Sequence, residues 1–298
     1  MIMNLRNVGL TIFGLFIAVS SFGQDNILNA GSPDDIGKKT LEQITADNDR
    51  PLEYGYVDKR DVLWAKTTWE TIDLDERINF PLYYPIDTVN IGSERRALYD
   101  VLLSNVKNGR IEKIYSDSYF TETRTLSDLE STLSKIDTLD LGYEQYNAGE
   151  VVDPQYIEIT TISAADISEY KIRGYWYFDK RQGELRYRLL GIAPVAPDVN
   201  FLTDDEPDMV PLFWVWYPDV REILHNAQAF NRKNTSMPFT YDHILNARRF
   251  SSIIYKEDNI QGDRTIADYV IDNALMQLLE SERIKESIRN FEMDMWSY

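Results

Sequence analysis

The chain has 298 residues, no cysteine, two histidines and a formal charge of −18. Without cysteine, disulfides, thiol catalysis and Cys-ligated metal sites are excluded. The negative charge disfavours nucleic acid, whose binding is driven by Lys and Arg, and suits a basic protein partner held in a salt-dependent way.

Met1–Asn7 carries one basic residue, Arg6, and is followed by the apolar, uncharged run Val8–Ser20. Ser21-Phe22-Gly23 then places small residues ahead of Gln24. This is the order of a secretory signal peptide, so residues 1–23 are expected to be removed and the rest to work beyond the inner membrane. The apolar run is short of the roughly 20 residues that span a bilayer, and no later segment is apolar enough to span. No Cys follows the run, so a lipid-modified N-terminus is not expected. Removing 23 of the 298 residues leaves 275, and because Arg6 goes with them the charge becomes −19. Residues 24–50 are polar and read as an extended arm or linker; 51–298 read as a single α+β domain.

Residues 54–75 fit either a helix or a strand by pattern. The stretch holds Asp61-Val62-Leu63-Trp64, Trp69-Glu70 and Ile72-Asp73-Leu74, with Pro81-Leu82-Tyr83-Tyr84-Pro85 soon after. Large aromatics of this kind build anchors in a core or at an interface. Leu98, Val101, Leu102 and Val106 recur at helical spacing, and Gly109 is a stop signal. Ser127 and Glu130 have capping-box spacing, predicting a helix to about Ile136.

The period then changes to two. Ile157–Thr160 alternates, as do Tyr170–Phe178 and Leu185–Leu189 around a turn at Gln182-Gly183, which predicts a hairpin. Leu212–Tyr217 reads as a further strand. The links are too short for helical crossovers, so the sheet within about 155–217 is expected to be antiparallel. Pro218 opens a predicted helix through Ala229. A short helix is expected over Thr240–Arg249. A long C-terminal helix is expected from the Thr265/Asp268 cap, with Ile266, Val270, Ala274, Leu278, Ile284, Ile288, Phe291 and Met295 along one stripe. A weak self-similarity links Tyr99–Leu103 and Ile111–Tyr115 to Tyr241–Leu245 and Ile253–Lys256, which is compatible with two related halves or with chance.

Few residues of the chain mark chemistry. His225 and His243 lack zinc-ligand spacing, and there is no nucleophile elbow, phosphate loop or dinucleotide fingerprint. Asp204–Asp208 contains Pro207 and no Gly, and Asp258–Asp263 lacks the terminal Glu of a calcium loop; both read as solvated loops. A glycosidase needs two carboxylates beside aromatic platforms. Glu70 adjoins Trp69, but with 49 acidic residues no pair stands out. A carbohydrate-binding module is the non-enzymatic variant of that reading. No catalytic, cofactor or metal residues are expected.

Glu53-Tyr54-Gly55-Tyr56-Val57, Asp61–Trp64 through Asp73–Asn79, Tyr83-Tyr84-Pro85, Arg249–Ser252 and Ile254–Asn259 together resemble the GldN/PorN family of gliding-motility and type IX secretion proteins. The resemblance implies a non-enzymatic periplasmic component of that machinery. It implies assembly with a GldK/PorK-like lipoprotein into a ring beneath the outer membrane, and contact with a GldM/PorM-like motor protein. Ring formation requires heterologous interfaces. Trp64 and Trp69, with the adjacent Glu70, and Trp296 in the C-terminal helix are the candidate interface residues; ordinary core burial competes for Trp64 and Trp69.

Overall fold

The computed structural model describes residues 50–87, 95–149, 151, 153–202, 207–231, 239–271 and 273–296. The predicted signal peptide and nearly all of the predicted arm lie outside these, as do residues 204–206 of the acidic cluster. The unit described here begins at Pro51.

The stretch left open by its pattern is a strand, β1 (Val62–Asp73). Its Thr, Val and Ile content suits a pleated surface. A single helical turn, α1 (Phe80–Tyr83), and α2 (Leu98–Lys107) follow. Leu98, Val101, Leu102 and Val106 are buried as their spacing requires, and Gly109, at φ +69°, ends the helix. Two short strands, β2 (Ile114–Tyr115) and β3 (Thr123–Arg124), form a small ribbon. In α3 (Leu126–Leu133) the capping box is formed by Thr125 and Asp128, two residues before the predicted pair. The earlier box aligns Leu129 and Leu133 with the core. The helix ends at Leu133, because Ser134 is extended and begins β4 (Ser134–Thr138). Across α4 (Asp140–Asn147), β4 pairs with β5 (Ile157–Thr161) in a second two-stranded ribbon.

The predicted hairpin is β6 (Glu169–Asp179) and β7 (Glu184–Pro197), turned at Gly183 with φ +67°. Leu212–Tyr217 is not one strand. β8 (Met209–Pro211) and β9 (Val215–Trp216) flank buried Leu212, Phe213 and Trp214, and both pair with β7. Between them, the Leu212 N–H donates to the Pro194 carbonyl of β7 at 2.9 Å. Helix α5 (Tyr217–Asn226) stops short of Ala229, which pairs in β10 (Gln228–Ala229) with β11 (Phe239–Thr240). Thr240 caps α6 (Tyr241–Asn246), and β12 (Ile253–Glu257) follows.

The C-terminal helix is broken. Thr265 and Asp268 cap a single turn, α7 (Ile266–Tyr269); Val270, at φ −114° and ψ 81°, is not helical, and α8 runs Ala274–Trp296. Along the predicted stripe Ile284 and Ile288 are buried, whereas Leu278 is exposed. Ser281 takes a fully buried position instead, where its Oγ accepts the Ile254 N–H at 2.8 Å. That bond satisfies a buried backbone donor on the edge strand.

The main sheet has the order β12-β1-β6-β7-β8, with β9 also on β7, and every pairing is antiparallel. The fold is thus α+β, an antiparallel sheet packed with helices and a long C-terminal helix. One face carries Ile72, Tyr170, Ile172, Leu189 and Ile192, which pack with α2, α5 and α6 in the main core. Further along the same face Trp64, Trp176 and Ile254 meet Ile284 and Ile288 of α8. The opposite face centres on Trp69, Ala193 and Trp214. The two self-similar segments begin alike, each with a buried Tyr in a short helix. Their strands differ in use, since β2 pairs with β3 whereas β12 joins the main sheet.

Candidate interaction site

The predicted residues Trp69 and Glu70 are neighbours in β1, so their side chains take opposite faces of the sheet. Glu70 is fully buried. Arg248 meets it in a bidentate pair, Nη2 to Oε2 at 2.7 Å and Nη1 to Oε1 at 3.2 Å. Ser252 and Thr68 donate to the same carboxylate. Burial alone would push the Glu70 carboxyl up, but the Arg248 charge and these hydrogen bonds outweigh it and hold the group below its usual range. The guanidinium lies 4.2 Å from the centre of the Tyr187 ring and 5.1 Å from that of Trp176. Gly174 makes room for Tyr187, since a Cβ there would run into that ring.

Trp69 is 1% exposed on the other face. Its direct cross-strand partners are Lys256 on β12 and Arg173 on β6. Lys Nζ sits 4.3 Å and the Arg Cζ 5.1 Å from its ring centre, so one indole is flanked by two cations. The loop Ser116–Glu122 covers this row. The Asp117 carboxylate accepts the backbone N–H of Tyr119, Thr121 and Glu122, which fixes the loop while Phe120 adopts φ +61°. Gly191 leaves the space that the Phe120 ring fills. Lys256 donates to the Tyr119 hydroxyl at 2.8 Å, and that hydroxyl donates to Asp263 at 2.8 Å. Burial lowers the proton affinity of both Arg173 and Lys256. The arrangement clamps a loop and the Asp263 turn onto a sheet. Asn259 and Asp263, weighed above as calcium ligands, bond within their own turn.

Trp64 is half-buried and stacks on Phe291 of α8, with centroids 4.7 Å apart. Trp296, at the end of α8, is 70% exposed. Of the four candidates, then, Trp69 and Glu70 hold the sheet, Trp64 holds α8, and Trp296 is free to meet another molecule. Exposed apolar side chains concentrate in two further places: Leu275, Met276, Leu278 and Leu279 at the start of α8, and the β4–β5 ribbon with α4.

A groove of about 500 Å³ runs between β12 and α7–α8; Glu169 is its one lining carboxylate, and its lining contains no Trp. A second, of about 340 Å³, is lined by Glu53, Tyr54, Glu184, Arg186 and Arg188 among others, with Glu184 paired to Arg186 at 3.1 Å. Among the described residues no three His, Cys, Asp or Glu side chains converge as a metal site would need. Among them, too, no helix is long and apolar enough to cross a membrane.

The motif segments meet in space. Asn79 and Ser251 exchange hydrogen bonds, Ser252 reaches Glu70, and the Tyr54 hydroxyl donates to Asn246 at 2.8 Å. Asn246 belongs to a buried node in which Asp242 accepts from Arg221, Tyr217 and Asn246. A family model described as gliding motility associated protein GldN matches residues 57–297. The chain belongs to the GldN family. Comparison with curated proteins finds no match. Several residues of the motif segments, among them Glu70, Asn79, Ser251 and Ser252, thus hold the sheet and its flanking turns together. Arg248, Arg173 and Tyr119 carry no signal in the sequence, and Lys256 is marked only as part of a motif segment; contacts between residues far apart in the chain reveal their roles.

Proposed function

We propose that this GldN-family protein is a non-enzymatic structural component of the gliding-motility and type IX secretion machinery. It works in the periplasm, held near the outer membrane by a GldK/PorK-like lipoprotein with which it forms a ring, and it contacts a GldM/PorM-like motor protein. The family match over residues 57–297 carries this reading. Supporting it are an acidic body with separate exposed apolar surfaces and charged nodes occupied in holding the fold rather than facing a cleft. Repeated contacts of this kind need several distinct patches on one subunit.

The test is co-purification of the tagged chain from detergent-solubilised envelopes, followed by mass spectrometry and negative-stain microscopy. A GldK-like lipoprotein recovered in large rings is the expected result. A clean, unaccompanied monomer would overturn the proposal and bring the carbohydrate-binding and glycosidase readings forward.

A further inference from the structure

The β4–β5 ribbon stands apart from the main sheet. Among the described residues each of its strands pairs only with the other. A two-stranded ribbon is marginal by itself in water, and both outer edges of this one present unpaired backbone groups. Its two faces are chemically distinct. Ile136 and Ile159 are direct cross-strand partners on one face, and they are 65% and 63% exposed. Asp137 and Glu158 are direct partners on the other face, where like charges opposite one another are unfavourable. Lys135, at 2.9 Å from Asp137, is the ribbon's only cation. Asp140 and Glu144 of α4 add further negative charge nearby.

We propose that an edge of this ribbon receives an extended segment of a partner protein in which apolar residues alternate with Lys or Arg. Strand addition satisfies the edge through main-chain hydrogen bonds, while alternate side chains set specificity. The period of two then places the incoming apolar residues beside Ile136 and Ile159 and the cations beside Asp137 and Glu158. A second copy could set Lys135 against Asp137 across an antiparallel edge, but the strong negative charge of each chain opposes that approach, and an anionic lipid surface would be repelled likewise. The inference does not depend on which machine the protein joins.

The probe is a fluorescein-labelled peptide alternating Lys and Val, titrated with the whole chain and read by anisotropy. Its control replaces each Lys by Glu. The Lys peptide is expected to bind, to weaken as salt rises, and to lose about tenfold in affinity with Ile136→Thr/Ile159→Thr. Thr keeps strand propensity at these exposed positions, so folding is retained and is checked by thermal melting. Leu275→Ser/Leu279→Ser on α8 is expected to leave binding unchanged. No binding, equal binding of the Glu peptide, or equal loss in the α8 variant would overturn the proposal. So would adsorption to phosphatidylglycerol vesicles, or self-association in sedimentation, that the Ile136→Thr/Ile159→Thr variant abolishes.

Discussion

The two faces of β1 bury charge by different means. On the Glu70 side a fully enclosed carboxylate has a bidentate Arg248 and two hydroxyl donors. On the Trp69 side two cations share one indole and a tyrosine, and the Asp263 carboxylate is reached through the Tyr119 hydroxyl. The difference follows from side-chain anatomy. A carboxylate is compact and must take its whole charge into the interior, so it needs hydrogen-bonded partners. Arg and Lys can instead lay their charged ends against aromatic faces, whose π clouds attract a cation. The first face therefore depends on one pair, whereas the second spreads its dependence over several weaker contacts.

Breaking the first pair tests this most severely. Arg248→Met leaves Glu70 buried and unpaired and is expected to cost about 3–5 kcal/mol, visible in urea or thermal unfolding. The pH dependence should also change sign. In the native protein the folded Glu70 carboxyl lies below its unfolded value of about 4.3, so its contribution is present above that pH and lost as pH falls through the folded value. In the variant burial is opposed only by the Ser252 and Thr68 hydrogen bonds, so the folded value rises, and the protein should regain stability on acidification from neutral pH. A small loss with an unchanged pH profile would show that Glu70 is neutral or solvated in the folded chain.

Ser281→Ala comes next. It strands the buried Ile254 N–H and is expected to cost about 1–3 kcal/mol, with faster amide exchange in β12. Arg173→Met, on the indole face, is expected to cost about 1–2 kcal/mol through the lost Ser118 carbonyl contact and cation–π packing. Its pH profile in the carboxylate range should keep the parent's sign, because the Tyr119 and Asn259 hydrogen bonds and Lys256 still hold Asp263 low. If Arg173→Met proves as damaging as Arg248→Met, the contrast between the faces is wrong.

Much of the fold was legible because local rules sufficed. The β6–β7 hairpin follows from alternation and Gly183, and α2 from its four apolar positions and Gly109. Failures came where a tertiary partner chose between local options. The strand β4 overrode a helix predicted to Ile136 because Ile136 has a cross-strand partner in Ile159. Ser281, which lies off the predicted stripe, is buried because an edge-strand N–H needs its acceptor. The break after Tyr269 was hidden because the periodicity continued through it. The nodes were least legible. Glu70 was singled out for its neighbour Trp69, yet its true partner lies 178 residues away in the chain, a separation at which no spacing rule operates.

The smallest stability effect separates the two outer tryptophans. Trp64→Ala removes the stacked Phe291 contact and is expected to cost about 1–2 kcal/mol and loosen the end of α8. Trp296→Ala touches a side chain that is 70% exposed and should change stability by less than about 0.5 kcal/mol. Their effects on partner recovery from envelopes are expected to run in the opposite order, because an exposed indole on a helix end is available as an anchor and a stacked one is occupied. Losing the partner in the Trp64 variant while Trp296→Ala retains it would move the contact from the tip of α8 to the surface that α8 shapes against β1.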